Sequence, residues 1–151
     1  MALKTSQVMR KKPITIQSGA TLEEAAKVLI KNNVTGAPVV TKSGKLVGIV
    51  SEKDLFKAIY PNLKDIIKHV SLWLDRKRVQ HRVDAKKETL VNKIMTKEVI
   101  TVQPSTPILK VGSLMLVNRI HRVPVVTKGK VVGVVGRRDI FQKLLKDDLD
   151  I

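Results

Sequence analysis

The sequence predicts an α+β fold: tandem β-α-β-β-α repeats with pseudo-twofold symmetry and a helical insertion between them. Three observations predict it. The first is a repeat. Pro38-Val39-Val40-Thr41-Lys42 returns 86 residues later as Pro124-Val125-Val126-Thr127-Lys128. Gly48-Ile49-Val50-Ser51-Glu52-Lys53-Asp54-Leu55-Phe56 returns 85 residues later as Gly133-Val134-Val135-Gly136-Arg137-Arg138-Asp139-Ile140-Phe141. A repeat decides the architecture before any single residue is interpreted. The second is helical spacing of apolar residues behind a capping signal, and the third is a set of short β-branched runs. Each copy is too small for a core of its own size class, so the two are expected to share one domain.

Copy one is placed at residues 9–60. Met1 to Lys12 is a basic leader with little pattern, although Val8-Met9 matches Ile94-Met95. Pro13 to Ile16 reads as a short strand. Thr21-Leu22-Glu23-Glu24 has the form of a capping box, and Leu22, Ala25, Ala26, Leu29 and Ile30 fall on one helical face. Asn32-Asn33 ends that helix. Ala37 to Thr41 is a strand, Ser43-Gly44 a turn, and Leu46 to Val50 a second strand. Ser51 is placed to cap a helix from Lys53 to about Ile59.

Residues 61–92 have no counterpart and form the helical, basic connection. Tyr60-Pro61-Asn62 breaks the chain, and Leu63, Ile66, Ile67, Val70 and Leu74 recur with helical spacing as the expected buried side. Asp75 to Glu88 is rich in Arg and Lys. Copy two is placed at 93–146, with its first strand from Val99. Ser105-Thr106-Pro107 starts its first helix, with Pro at a tolerated first position. Val123 to Thr127 and Val131 to Val135 are nearly all β-branched, which suits strands buried on both faces. Asp147 to Ile151 is an acidic tail expected to fray.

Composition narrows the function. Hydrophobic residues make up 43 % of the 151 and aromatics 3 %, so the core is aliphatic. With no cysteine, disulfides, thiol nucleophiles and zinc–thiolate sites are excluded. His69, His81 and His121 form no metal-ligand pattern. No apolar run approaches a membrane span or a signal peptide, so the expectation is a soluble cytoplasmic protein with no membrane partner. The formal charge of +16 points to anionic ligands or partners, nucleic acid among them, or to a well-solvated surface.

Chemistry concentrates at Gly48-Ile49-Val50-Ser51-x-x-Asp54. An apolar strand ends there, and a hydroxyl and a carboxylate follow three residues apart at a helix start. Free N–H groups and the positive helix end favour a bound anion. A hydroxyl donates to a phosphate oxygen, and a carboxylate accepts from both hydroxyls of a ribose. The same two residues also make an ordinary helix cap. On one copy the readings stand level; the return of Asp at 139 favours a ligand.

At these residues the chain resembles a stand-alone tandem pair of CBS domains, the regulatory modules named after cystathionine β-synthase. The resemblance rests on Thr35-Gly36-Ala37-Pro38-Val39-Val40 with Gly48 to Leu55, and on His121-Arg122-Val123-Pro124-Val125-Val126 with Gly133 to Ile140. It covers about Met9 to Lys146 apart from the insertion. It implies two clefts for adenosyl ligands such as AMP, ADP, ATP or S-adenosylmethionine, each mixing both copies. One would hold Ser51 and Asp54 with Val99, Ile100, His121, Arg122, Val123 and Pro124. The other would hold Gly136 and Asp139 with Pro13, Ile14, Thr35, Gly36, Ala37 and Pro38. Gly136 departs from the Ser or Thr of the motif, so that cleft keeps the ribose acceptor and loses the hydroxyl.

The leading reading is a non-catalytic adenosyl-ligand sensor, needing no cofactor, that signals through conformation or oligomer state to a separate effector protein. A homodimer through the repeat helices is expected, with Leu22, Ala26, Leu29, Leu114, Met115 and Ile140 as candidate contacts. The alternative is a nucleic-acid-binding accessory protein using Arg76-Lys77-Arg78, Arg82 and Lys86-Lys87, although few aromatics are available for stacking. An enzyme acting on a nucleotide is a third reading, but no nucleophile and base stand together, and no phosphate-loop spacing is present.

Overall fold

The structure, a computed structural model, describes residues 3–60, 68, 76–149 and 151. The expected buried side of the insertion, Leu63, Ile66, Ile67, Val70 and Leu74, lies outside the described residues. The chain divides into two compact units. One, built on copy one, comprises Ile14–Thr41 and Val47–Glu98. The other, built on copy two, comprises Met1–Pro13, Lys42–Leu46 and Val99–Ile151.

β1 (Ile16–Gln17), β2 (Gly36–Val40) and β3 (Leu46–Ser51, in the copy-one unit from Val47 on) form a sheet in that order. β1 runs parallel to β2, with Ile16 opposite Val39. Between them lies α1 (Leu22–Lys31). It starts where Thr21 Oγ1 accepts from the Glu24 N–H at 3.2 Å. The reciprocal half of the capping box is absent, because Thr21 Oγ1 instead donates to Glu24 Oε1. The helix ends at Asn32, and Asn33 turns the chain with φ 52°, a conformation Asn tolerates. Ile16, Leu22, Ala25, Leu29, Val39, Val50 and Leu55 share the core. Ile30 is 80 % exposed, contrary to expectation. At 3.6 residues per turn it lies roughly 100° round the helix from the middle of the Leu22, Ala25 and Leu29 stripe.

α2 (Glu52–Ile59) follows β3, and α3 (Arg76–Lys86) packs near it. α3 buries no residue, and its polar sequence explains why. One side chain, Arg82, donates through Nε to the Ile59 carbonyl at 2.8 Å, satisfying a carbonyl in the last turn of α2.

The copy-two unit repeats this plan. Val102 bridges Val125 in parallel, each 86 residues beyond Ile16 and Val39. α4 (Ile108–Asn118) follows Pro107, which occupies the N-cap rather than the first helical position. β4 (Arg122–Thr127) and β5 (Lys130–Gly136) pair antiparallel, from Arg122 with Gly136 to Thr127 with Lys130. The turn between them uses Lys128 at φ 52° and Gly129 at φ 79°. Val102, Val111, Met115, Val123, Val125, Val135 and Ile140 form the core. β5 is not buried on both faces, as its β-branched run suggests. Its burial alternates, with Gly133 and Val135 inside and their neighbours half-buried. α5 (Arg137–Leu149) extends into the acidic tail, where Lys143 and Asp147 pair at 3.4 Å.

The leader is patterned after all. Thr5 is fully buried, and its hydroxyl donates to the Thr106 carbonyl at 2.6 Å. Arg10 and Val134 exchange N–H···O bonds of 2.9 and 3.2 Å. Their counterparts in the copy-one unit do the same: Thr96, 86 residues after Arg10, and Ile49, 85 before Val134, exchange bonds of 2.8 and 2.9 Å. The bridges Lys4–Pro107 and Thr21–Leu90 complete the correspondence. Thus the segment preceding each copy straps the sheet of the other. Met9 Sδ lies 2.7 Å from where a Cβ on Gly133 would stand, and Met95 Sδ 2.6 Å from one on Gly48. These two glycines are what let the straps approach.

Candidate functional site

Each unit presents one strand-to-helix turn carrying a carboxylate. In the copy-one unit β3 ends at Ser51, whose backbone is extended at φ −125° and ψ 165° and caps α2. The Ser51 N–H donates to Asp54 Oδ2 at 2.9 Å, and the Ser51 hydroxyl donates to the same oxygen at 3.1 Å. In return the Asp54 N–H donates to Ser51 Oγ at 3.3 Å. This is a full capping box with Asp in place of Glu. Both side chains are half-buried. Among the described residues no hydrogen bond uses Asp54 Oδ1, so that oxygen keeps acceptor capacity beyond the cap.

Thr35 sits beside this turn, since the Glu52 N–H donates to its carbonyl at 2.9 Å. Gly36, Ala37 and Pro38 continue from it into β2 and are buried. A proline inside a strand adds no N–H to the ladder, so this part of β2 stands where one fewer donor is required.

The copy-two turn has the same frame and less chemistry. The Gly136 N–H donates to Asp139 Oδ2 at 2.9 Å, and the Arg137 N–H donates to the His121 carbonyl at 2.8 Å. A Cβ on Gly136 would meet Asp139 Oδ2 at 3.1 Å and otherwise nothing nearer than 3.9 Å. Gly136 is not among the glycines with positive φ, so its backbone suits a serine. Asp139 Oδ2 thus accepts one bond from residue 136 where Asp54 Oδ2 accepts two from residue 51. His121 is exposed, Arg122 half-buried, and Val123 and Pro124 fully buried. Arg137 and Arg138 are exposed in the first turn of α5.

The residues expected in each cleft divide between the units. Ser51, Asp54, Ile14, Thr35, Gly36, Ala37 and Pro38 belong to the copy-one unit. Pro13, Val99, Ile100, His121, Arg122, Val123, Pro124, Gly136 and Asp139 belong to the copy-two unit. Pro13, Ile14, Val99 and Ile100 are half-buried and lie outside the named strands. Sequence reasoning missed the straps, although the Met9–Met95 spacing was a visible signal of them. Among the described residues no three His, Asp or Glu side chains gather as a metal site, and no helix is long and apolar enough to cross a membrane.

The candidate dimer contacts need correction. Leu22, Leu29, Met115 and Ile140 are each less than 5 % exposed, and Ala26 and Leu114 pack against the same cores. These stripes serve their own sheets. Among the described residues, the large apolar side chains left exposed are Ile30, Phe56 and Leu90 in the copy-one unit and Leu109, Leu116, Val117, Phe141, Leu149 and Ile151 in the copy-two unit.

Comparison with known proteins agrees with this geometry. The CBS domain pattern matches residues 6–61 and again 91–146. The chain belongs to the CBS domain family. An uncharacterised protein of Methanocaldococcus jannaschii is 34 % identical over 147 residues, covering 89 % of this chain and 88 % of its own. The solved CBS domain pair of protein MJ0100, in complex with 5-methylthioadenosine and S-adenosyl-L-methionine, superposes with a TM-score of 0.72. It is 30 % identical and covers 97 % of this chain and 99 % of its own. CBSX2 of Arabidopsis thaliana in complex with AMP gives 0.71 at 25 % identity, covering 96 % and 98 %. Other curated relatives are longer. The chain spans 21 % of an L-aspartate semialdehyde sulfurtransferase of Methanocaldococcus jannaschii. In such a relative this CBS pair corresponds to only part of a chain named for its enzyme activity.

Proposed function

We propose that this CBS pair is a non-catalytic regulatory module that binds adenosyl ligands, AMP, ADP, ATP or S-adenosylmethionine, and signals through conformation or oligomer state. The observation that carries the reading is the carboxylate turn present in both units. An aspartate stands at the third helical position twice, 85 residues apart; one such residue completes an ordinary cap, and its return in the second copy is what favours a ligand. Each aspartate is held by a backbone N–H through one oxygen, which orients it without neutralising it. A fixed carboxylate is what ribose hydroxyls require. The CBS pairs with adenosyl ligands in their solved structures supply the ligand class.

In this reading Asp54 accepts from the ribose of a ligand that also meets Val99, Ile100, His121, Arg122, Val123 and Pro124. Asp139 and Gly136 serve a second ligand with Pro13, Ile14, Thr35, Gly36, Ala37 and Pro38. The Ser51 hydroxyl, which donates to Asp54 in the cap, turns its hydrogen to a phosphate oxygen when one arrives. Gly136 offers no such hydroxyl, so the second position suits ligands with less phosphate. The module works in the cytoplasm and passes its signal to a separate effector protein. It pairs with a second copy through the exposed apolar side chains of α1, α2, α4 and α5.

Thermal-shift measurement with AMP, ADP, ATP, S-adenosylmethionine and NAD tests the ligand class. A ligand at 100 times its Kd stabilises the folded state by about 2.7 kcal/mol, a readily measured rise in melting temperature. A melting temperature unmoved by every adenosyl compound, or turnover of any of them, contradicts the proposal.

A further inference from the structure

The tips of two hairpins meet in the copy-two unit. Lys45 forms an antiparallel bridge with Lys130. The Leu46 N–H donates to the Gly129 carbonyl at 3.0 Å, and the Val131 N–H donates to the Gly44 carbonyl at 3.1 Å. This places Lys42, Lys45, Lys128 and Lys130, all exposed, on two short turns held edge to edge. Residues directly opposite in an antiparallel pair have Cβ atoms about 5 Å apart, and like charges there are destabilising. The two turn sequences, Thr41 to Leu46 and Thr127 to Val131, contain no Asp or Glu. Among the described residues, the recorded ion pairs use Lys27, Lys87 and Lys143, and none uses Lys42, Lys128 or Lys130. The fold therefore gathers positive charge at one point and locks the backbones beneath it.

We propose that this lysine quartet is a binding site for an anion of linked phosphoryl groups. The cations are all lysines, which act on phosphate as point charges, whereas planar carboxylates are best met by the arginine fork. Neither turn carries an aromatic ring, so there is no stacking platform for a base. The site stands apart from the carboxylate turn of the same unit. Lys130 and Gly136 are the two ends of β5, about 20 Å apart at ~3.3 Å per residue. It therefore goes beyond the adenosyl reading and does not depend on it.

The test uses the full chain and tripolyphosphate, followed by calorimetry at low salt. The parent binds it, and the triple variant Lys42→Gln, Lys128→Gln, Lys130→Gln binds it at least about tenfold more weakly. A control triple on α3, Arg76→Gln, Lys77→Gln, Arg78→Gln, keeps the parent affinity. Because the hairpin triple also removes cross-strand repulsion, its melting temperature without ligand equals or exceeds that of the parent, so loss of binding is not loss of fold. Phosphate chains also arrive on nucleotides, and saturating adenosine separates the two sites by leaving tripolyphosphate binding intact. Four results would each overturn the proposal: no binding by the parent, equal loss in both triples, displacement by adenosine, or tighter binding of a polyglutamate peptide than of tripolyphosphate.

Discussion

Ser51 and Gly136 hold equivalent places, and the contrast between them isolates what one hydroxyl contributes. Ser51 closes a reciprocal cap with Asp54, while Gly136 offers Asp139 its N–H alone. Ser51→Ala removes the acceptor for the Asp54 N–H and costs about 1 kcal/mol. For a chain of this size that lowers the melting temperature by about 2–4 °C. Gly136→Ser does the opposite. The backbone is already suited to a serine, and the nearest obstacle is the end of a side chain that a serine hydroxyl would hydrogen-bond. It gains a few tenths of a kcal/mol in the cap, and under the proposed function it strengthens phosphorylated ligands at that turn. A melting curve of Gly136→Ser below that of the parent would contradict the cap geometry. The carboxylate positions were legible in the sequence because Asp at the third helical position recurs after 85 residues. That Ser51 donates its hydrogen to Asp54 was not legible, because spacing does not say where a hydroxyl hydrogen points.

At the scale of elements, the straps carry the least expected energetics. Gly48→Ala drives a Cβ to 2.8 Å from the Thr96 backbone carbonyl and into Met95, and Gly133→Ala does the same to Arg10 and Met9. Overpacking of this kind costs about 1–3 kcal/mol. Equilibrium denaturation of each variant measures it, and both losses are expected because the straps correspond. Gly112→Ala provides the counterexample. It lies inside α4, and its Cβ meets only Ile140 at an ordinary 3.8 Å, so the substitution gains about 0.5–1 kcal/mol from helix propensity. The helices and hairpins were legible because periodicity and turn residues are local signals. The first strand of each copy was misplaced, since pairing begins at Ile16 rather than Pro13 and at Val102 rather than Val99, and α5 ran into the tail, where Asp147 pairs with Lys143 at i, i+4. The straps were not legible for a physical reason. A repeat shows that Met9 and Met95 are equivalent, but not which of two equivalent sheets each will cover. The misplaced dimer contacts have a related cause. Helical spacing identifies an apolar stripe and leaves open whether it meets its own sheet or another molecule.

For the whole molecule, the net charge of +16 and the exposed Ile30, Phe56, Leu109, Leu116, Val117 and Phe141 define what partners must offer. Under the proposed homodimer, Leu116→Glu with Phe141→Glu abolishes association without unfolding the chain, since both side chains are exposed. Sedimentation velocity of the parent and this variant checks it, and a monomeric parent at high concentration contradicts it. The central claim is adenosyl binding through Asp54. The sharpest variant is Asp54→Asn, because the amide oxygen still accepts the cap bonds from Ser51 while the negative charge is gone. Calorimetric titration of AMP and S-adenosylmethionine into the parent and into Asp54→Asn measures it directly. A bond to a charged group contributes about 1.5–3 kcal/mol, so the better ligand of the parent is expected to bind at least about tenfold more weakly to the variant. Equal affinity in the two proteins, with the melting temperature unchanged, would contradict the assignment of Asp54 to the ligand.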